Sequence, residues 1–262
     1  MMPRVMSVAS TDSGGGAGTM ADLKTFTALK VFGTAVVVSL TAQNSVSVKS
    51  IYELPLKFID DQFDEILDDI GTDAAKTGML YSSSIIREVA DKFIQYDVKN
   101  IVIDPVMVSK TNVRLLKEDA IDTMVNKLMK IACLITPNIP EAEVISKSKI
   151  NNYNDIKNAA KIIYNSINTK VLIKGGHYNS YFSDDILYDG NEFYEFKRKR
   201  IDTKNTHGTG DTLSSAIASY IAKGMPLNEA IGNAREYIEG AIKNSFPMGK
   251  GYGPLNHFWV IK

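Results

Sequence analysis

Asn205-Thr206-His207-Gly208-Thr209-Gly210-Asp211-Thr212 forms a glycine-containing turn that leads directly into an apolar segment of the chain. Beyond the turn, apolar residues recur at helical spacing, at Leu213, Ala216, Ile217, Tyr220 and Ile221. Gly208 and Gly210 allow a positive φ or a close approach of the backbone to a ligand. The stretch therefore predicts a helix whose unpaired first N–H groups point at one spot and favour a bound anion.

Asp211 places a carboxylate in the first turn of this predicted helix. A second anion beside a bound phosphate needs a chemical purpose, such as accepting the proton of an attacking hydroxyl group. The alternative is that Thr209 or Asp211 caps the helix through its side chain. Residue types alone leave both interpretations open, and the first of them predicts a phosphoryl-transfer site.

The overall composition is that of an ordinary globular protein and gives no sign of a nucleic-acid partner. Hydrophobic residues make up 44% of the 262 residues, and 30 Lys and Arg balance 30 Asp and Glu. The one dense basic run, 197–200, follows aromatic residues and is interpreted as a solvated strand end. A lone cysteine, Cys133, excludes an internal disulfide. No stretch approaches the roughly 18 consecutive apolar residues of a membrane span, so we expect a cytoplasmic protein without a membrane partner.

Short apolar runs alternate with longer segments of helical periodicity along the whole chain, which predicts one α/β domain over residues 1–262. We expect a mostly parallel sheet covered by helices on both faces. The predicted strands lie near 5–9, 34–40, 73–77, 101–104, 133–136 and 171–174. The clearest predicted helices are 21–29, 56–69, 83–95, 118–129, 153–165, 211–223 and 227–245.

Two segments break this alternation. Residues 46–52 follow the second predicted strand without a helix between them. In residues 182–200, two strand-like runs flank Asp189-Gly190, a strong hairpin signal. We therefore expect a small antiparallel edge on the parallel sheet.

Polar side chains follow several predicted strands, where ligands bind in open α/β sheets. Asp104 ends one strand, Asn138 ends another, and Glu141 follows three residues later. Asn138 and Glu141 have the spacing of a helix capping box, while carboxylates and an amide also suit Mg²⁺ that bridges phosphate oxygens. The two interpretations are compatible. Lys174, followed by Gly175 and Gly176, has the charge and backbone freedom to approach a nucleotide phosphate.

The glycine-rich stretch Ser13-Gly14-Gly15-Gly16-Ala17-Gly18 lies between the first predicted strand and helix. It fits the dinucleotide fingerprint poorly, and the chain contains no Walker P-loop. The glycines are better suited to a loop whose N–H groups face a small substrate, with Asp12 alongside. Gln43 ends a predicted strand, and its amide suits the edge of a heteroaromatic ring, although an exposed turn is an equal alternative.

With these motifs in place, the chain resembles the ribokinase superfamily and, within it, the hydroxymethylpyrimidine/phosphomethylpyrimidine kinases of thiamine biosynthesis. The motifs that carry the resemblance run nearly end to end: Ser13-Gly14-Gly15-Gly16-Ala17-Gly18, Leu40-Thr41-Ala42-Gln43-Asn44, Lys76-Thr77-Gly78-Met79-Leu80, Asp104-Pro105-Val106-Met107-Val108, Thr136-Pro137-Asn138, Pro140-Glu141-Ala142, Lys174-Gly175-Gly176-His177, Asn205-Thr206-His207-Gly208-Thr209-Gly210 and Gly253-Pro254-Leu255-Asn256-His257.

The resemblance implies a ribokinase-like three-layer αβα sandwich that transfers phosphoryl from ATP, with Mg²⁺, to a hydroxymethylpyrimidine and then to its monophosphate. It implies a homodimer. Gln43 would meet the pyrimidine, with Asp12, Gly14, Ala17, Met79 and Val106 around it. Lys174, Asn205, Thr206, Gly208 and Gly210 would bind ATP, and Asp104, Asn138 and Glu141 would organise Mg²⁺. Asp211 and Lys174, with an anion hole formed by the N–H groups of Gly208, Thr209 and Gly210, would carry catalysis.

One departure from the family pattern bears on the reaction. Most members have Cys where this chain has Asp211, whereas ribokinases and many pyridoxal kinases have Asp. An Asp suits the first phosphorylation as a general base, but its charge repels the anionic acceptor of the second. Two alternatives therefore stay open: a pyridoxal kinase, and a non-catalytic pyrimidine-binding regulator. Residues 109–114 are a candidate flap over the substrate.

Overall fold

The computed structural model describes residues 1–107, 115–117, 119–175 and 184–261. Its centre is an eight-stranded sheet with the order β10-β9-β8-β7-β6-β5-β1-β2. The strands of this sheet are β1 (Arg4–Ala9), β2 (Phe32–Val37), β5 (Ala74–Thr77), β6 (Ile101–Ile103), β7 (Leu134–Ile135), β8 (Lys170–Ile173), β9 (Asp185–Tyr188) and β10 (Phe193–Phe196). A separate two-stranded sheet contains β3 (Ser39–Gln43) and β4 (Val48–Glu53).

Helices cover both faces of the main sheet, as the alternating pattern predicts. They are α1 (Gly18–Ala28), α2 (Leu56–Glu65), α3 (Ser83–Gln95), α4 (Ala120–Thr123), α5 (Ile139–Ser146), α6 (Tyr153–Ile167), α7 (Thr209–Ala222) and α8 (Leu227–Lys243). Alternate strand residues pack into two separate cores. Ile103 of β6 lies in the core under α2, α3 and α6, whereas Val102 beside it lies in the core under α1, α7 and α8. The predicted three layers are therefore confirmed.

Neighbouring strands from β2 to β8 in the sheet order run parallel, and β9 and β10 form the antiparallel edge. The hairpin predicted around Asp189-Gly190 is confirmed, because β10 pairs with β9 across that turn. Gly190 has a φ of 106°, which a residue with a side chain rarely adopts. Among the described residues, no helix has the length and apolar character needed to cross a membrane.

The single strand predicted over 34–40 is wrong, because the chain changes sheets at Val38. The Val38 N–H donates to Ala9 O at the end of β1, while its carbonyl accepts from the Leu54 N–H after β4. Residues before Val38 thus belong to the main sheet and residues after it to the small sheet. The segment 46–52, which breaks the alternation of strands and helices, largely forms β4.

Two predicted helices are less regular than expected. The helix predicted over 56–69 is α2 followed by a wider π-helical turn, Ile66–Ile70, which ends at Gly71 with a φ of 70°. The helix predicted over 118–129 begins as α4 and continues through a π-helical turn, Met124–Leu128. Strands β1, β5 and β6 all pack against α7, the helix that carries Asp211.

Candidate active site

The first turn of α7 has no side-chain cap among the residues that the structure describes. Gly208 is the N-cap residue with a φ of 79°, and no described side chain accepts a capping hydrogen bond from this turn. The interpretation of Thr209 or Asp211 as a cap is therefore wrong. The Thr212 N–H donates to Gly208 O at 2.9 Å, as the first regular bond of the helix. The anion hole predicted from the N–H groups of Gly208, Thr209 and Gly210 needs a correction, because the Thr209 N–H donates to Thr206 O at 3.4 Å. The N–H groups of Gly210 and Asp211 precede the Thr212 bond, so we assign anion binding to these two.

Gly208 and Gly210 are required because other groups approach their α-carbons closely. A Cβ on Gly208 would lie 1.8 Å from the carbonyl oxygen of Gly16, so the loop between β1 and α1 is pressed against the helix start. A Cβ on Gly210 would lie 2.9 Å from Oδ2 of Asp104. Both glycines were predicted from the sequence, and the structure gives steric reasons for them.

Asp12 holds the loop between β1 and α1 together. Its carboxylate accepts the N–H groups of Gly14 at 2.7 Å, Gly16 at 3.1 Å and Ala17 at 3.0 Å, and Nε2 of His207 lies 2.7 Å away. Burial opposes ionisation, but these contacts, led by His207, lower the pKa of Asp12 below its ordinary value. The N–H groups expected to face a substrate thus bind Asp12 instead.

His207 links this loop to the small sheet. Its Nε2 lies 3.3 Å from Nε2 of Gln43, and the Thr41 hydroxyl donates to Oε1 of Gln43 at 3.3 Å. Because Asp12 is the nearer and charged acceptor, we assign the His207 Nε2 proton to it. The Gln43 amide protons are then not used by His207, so they remain available to an acceptor on a ligand. The sequence motif contained His207, but no role was predicted for it.

A partly buried ion pair between Lys174 and Asp104 lies beside Gly210. Lys174 Nζ contacts Oδ1 of Asp104 at 2.6 Å, and the Thr136 hydroxyl donates to the same oxygen at 3.2 Å. Oδ2 of Asp104 faces Gly210. The strand-end rule therefore brings Asp104 and Lys174 together beside the predicted anion hole, as expected.

Asn138 and Glu141 form the predicted capping box at the start of α5. The Glu141 N–H donates to Asn138 Oδ1 at 2.9 Å, and the Asn138 N–H donates to Glu141 Oε2 at 2.8 Å. Burial raises the pKa of Glu141 to about 7, and the nearby charge of Asp104 adds to this, whereas Lys174 opposes it. These side chains contribute negative potential, but their oxygens are already engaged in the cap.

Mg²⁺ fits this region only in part. Oxygen ligands are what Mg²⁺ prefers, and Oδ2 of Asp104 faces the helix start. Within the described residues, however, no group of three or more His, Cys, Asp or Glu side chains is arranged to hold a metal ion. Mg²⁺ usually keeps several waters and binds phosphate oxygens. The single carboxylate of Asp104, with the polar side chains of Asn138 and Glu141 nearby, is compatible with such a site.

Asp211 is ion-paired to a lysine to which sequence reasoning gave no role. Lys76 Nζ contacts Asp211 Oδ1 at 2.8 Å and both oxygens of Asp22, at 2.9 and 3.1 Å. Burial would raise the pKa of Asp211, but Lys76 and the Gly18 N–H outweigh it and lower the pKa below its ordinary value. Burial raises the pKa of Asp22 to about 6 despite Lys76. A lysine inside the short strand predicted at 73–77 was the signal available in the sequence.

The remaining predicted residues lie around this centre or outside the described part. Met79 is 7% exposed, and its carbonyl accepts from the N–H and hydroxyl of Ser10. The Val106 N–H donates to Asp104 O at 2.9 Å. Asn205 contacts Ser245 and Gly253 through its amide, and the Thr206 N–H donates to Lys204 O. Gly176, His177 and the candidate flap at 109–114 lie outside the described residues.

The fold and the site together define a phosphotransferase of the ribokinase-like class. The chain belongs to the phosphomethylpyrimidine kinase family, whose family model matches residues 12–256. It is 38% identical over 256 residues to the hydroxymethylpyrimidine/phosphomethylpyrimidine kinase of Bacillus subtilis, covering 97% of this chain and 94% of that protein.

Two further similarities extend this assignment. The chain is 46% identical over 253 residues to the thiamine biosynthesis bifunctional protein ThiED of Geobacter sulfurreducens, covering 97% of this chain but only 52% of that longer protein. Among solved structures, an ADP complex of Bacillus subtilis pyridoxal kinase matches with a TM-score of 0.91 and 37% identity, covering 98% of both chains.

Proposed function

We propose that this protein transfers the γ-phosphoryl group of ATP to the hydroxymethyl group of 4-amino-5-hydroxymethyl-2-methylpyrimidine, and then phosphorylates the monophosphate to the pyrophosphate, in thiamine biosynthesis. Membership of the phosphomethylpyrimidine kinase family supports the substrate class. The observation that carries the chemistry is the uncapped start of α7, which has Asp211 on one side and Lys174 on the other.

In the first step, the N–H groups of Gly210 and Asp211 hold the transferring phosphoryl group, and Lys174 neutralises its charge. Asp211 accepts the proton of the hydroxymethyl group while that oxygen attacks the γ-phosphorus, and ADP leaves with the bridging oxygen. When bound, Mg²⁺ neutralises the nucleotide phosphates. Asp104 would hold it through Oδ2, with Asn138 and Glu141 acting on its water shell.

The substrate pocket follows from the loop that Asp12 organises. We place the pyrimidine between this loop and the residues after β5 and β6, so that the Gln43 amide donates to a ring nitrogen and Met79 and Val106 supply apolar contacts. Asp12 itself is 2% exposed and is engaged by the loop N–H groups and His207. Asp12 therefore affects substrate binding indirectly, because it fixes the loop that forms one wall of the pocket.

A pyridoxal kinase is the second candidate, because the similar ADP-bound structure is a pyridoxal kinase and shares the fold over almost the whole chain. Pyridoxal also presents a hydroxymethyl group on a nitrogen heterocycle, so the same base and anion hole suit it. Gln43 favours the pyrimidine, whose amino group and ring nitrogen match an amide edge.

Steady-state assays of purified protein with ATP and Mg²⁺ separate these candidates. We expect kcat/KM for hydroxymethylpyrimidine to exceed that for pyridoxal by about tenfold or more, equal to about 1.4 kcal/mol of transition-state discrimination. The monophosphate should also be turned over, and chelation of Mg²⁺ should abolish all activity. A clear preference for pyridoxal would contradict the proposal. Binding of the pyrimidine without any turnover would instead indicate a regulator.

We further propose that residues 1–262 form one domain and that the protein is a homodimer in solution. One sheet and its two helix layers extend from β1 to β10, which supports the single domain. The dimer is an expectation from the family resemblance. Light scattering coupled to size-exclusion chromatography measures the assembly directly, and a monomeric mass across micromolar concentrations would contradict it.

A further inference from the structure

Lys76 lies between two carboxylates with its ammonium group completely buried. Asp211 contacts it from the start of α7, and Asp22 contacts it from α1. Asp22 is fixed in turn by the hydroxyls of Ser7 and Ser215, which donate to it at 2.5 and 2.7 Å. Since each partner belongs to a different element of the core, the ammonium group has one position.

The two proposed phosphorylations make opposite demands on Asp211. In the first, an O–H bond breaks, its proton moves to Asp211, an O–P bond forms, and the bond to ADP breaks. In the second, the attacking phosphate oxygen carries no proton near pH 7, because the second pKa of a phosphate monoester is about 6. Asp211 then has no proton to accept, and its charge only repels the dianionic acceptor.

We propose that Lys76 is a positioning residue that neutralises Asp211 and thereby allows one carboxylate site to accept both the neutral alcohol and the anionic monophosphate. This inference rests on the proposed function. The 2.8 Å contact with Asp211 Oδ1 puts a fixed positive charge directly behind the carboxylate. Asp211 is 15% exposed whereas Lys76 is fully buried, so an acceptor meets the carboxylate with the ammonium beneath it.

The surroundings preserve this arrangement. A Cβ on Gly78 would lie 2.9 Å from Lys76 Nζ and 3.3 Å from Asp211 Oδ1, so the glycine leaves the pair the room it needs. Burial disfavours a charged lysine, but Asp211 and Asp22 more than compensate and keep the pKa of Lys76 above its ordinary value. Asp22 thus keeps the lysine charged and in place even while Asp211 holds a proton.

The test is the double variant Lys76→Met with Asp22→Asn. It removes one positive and one negative charge together, so no unpaired charge is left at Asp22, while the partly exposed Asp211 loses the counter-charge that contacts it. We expect kcat/KM for the monophosphate to fall at least about tenfold more than kcat/KM for hydroxymethylpyrimidine, because only the anionic acceptor is sensitive to the exposed charge of Asp211.

Lys92 provides a matched control elsewhere in the chain. It is also a lysine with little exposure that contacts two carboxylates, Asp60 and Asp64, and it lies on α3. Lys92→Met with Asp64→Asn should lower stability but leave unchanged the ratio of kcat/KM for the monophosphate to kcat/KM for hydroxymethylpyrimidine.

The single variant Asp22→Asn makes the cluster less negative and keeps Lys76. It should raise the ratio of kcat/KM for the monophosphate to kcat/KM for hydroxymethylpyrimidine.

Each outcome decides the inference. Equal losses for both acceptors in the double variant would reduce Lys76 to a structural role and overturn it. If the double variant does not fold, Asp22→Asn is the deciding variant. A fall in its kcat/KM for the monophosphate relative to that for hydroxymethylpyrimidine overturns the inference. A wild-type protein that phosphorylates only the alcohol overturns the inference but leaves the first step intact. A wild type inactive on both acceptors refutes the proposed function itself.

Discussion

Asp211→Asn is expected to slow the phosphorylation of hydroxymethylpyrimidine by about 10²–10⁴-fold, the typical contribution of a general base. The amide keeps the shape of the side chain and an oxygen that can face Lys76, but it cannot accept the proton of the hydroxyl group. Because Asp211 has a lowered pKa, it is ionised throughout the neutral range in the wild type. The loss should therefore appear in kcat at every pH from about 6 to 8, as measured by ADP release.

The monophosphate serves as the internal control for this variant. Its phosphorylation needs no base, so Asp211→Asn should retain or improve kcat/KM for this acceptor, since the substitution also removes a negative charge. Calorimetric titration with ADP should give an unchanged affinity, because the N–H groups at the start of α7 belong to the backbone. Near wild-type turnover of the alcohol would contradict the assignment of Asp211 as the base.

The parts of the fold that sequence predicts best are those fixed by local pattern. Helix α3 has the bounds expected from its apolar periodicity, Ser83–Gln95, and the antiparallel edge follows from one Asp-Gly turn. The change of sheets at Val38 could not be predicted in this way. No Gly or Pro within residues 34–40 marks the change, which depends on the positions of Ala9 and Leu54, distant in sequence.

The same distinction applies to the site. Asp104 and Lys174 could be predicted because each follows a strand, and parallel strands bring their carboxyl ends to one edge. The residues that pair with Asp211 and Asp12 could not be predicted from the sequence. Lys76 is 135 positions from Asp211, and His207 is 195 positions from Asp12. No sequence pattern specifies these pairs, since they arise only when three-dimensional packing brings the elements together.

Gly208→Ala is expected to lower turnover of both pyrimidine acceptors by about 10²-fold or more, comparable to the removal of a donor from an oxyanion hole. The new Cβ would lie 1.8 Å from Gly16 O, and the obstructing atom belongs to the backbone rather than to a flexible side chain. Either the start of α7 or the loop held by Asp12 must therefore move. Both movements displace the N–H groups from the phosphoryl group, so kcat should fall for both steps alike.

Gly224→Ala is the matched control, because it separates this displacement from backbone strain. Gly224 follows the other end of α7 and has a φ of 83°, and a Cβ added to it would meet no atom of the described residues within 4 Å. A side chain in this left-handed region costs about 1–3 kcal/mol, so both variants should lose a similar amount of strain-related stability in thermal denaturation.

Only Gly208→Ala meets a backbone atom beside the anion hole, and only this variant should lose turnover. If both variants kept wild-type kcat, or lost it equally, the contact between Gly208 and Gly16 would have no part in catalysis, and the anion hole would not depend on the packing of the loop against the helix.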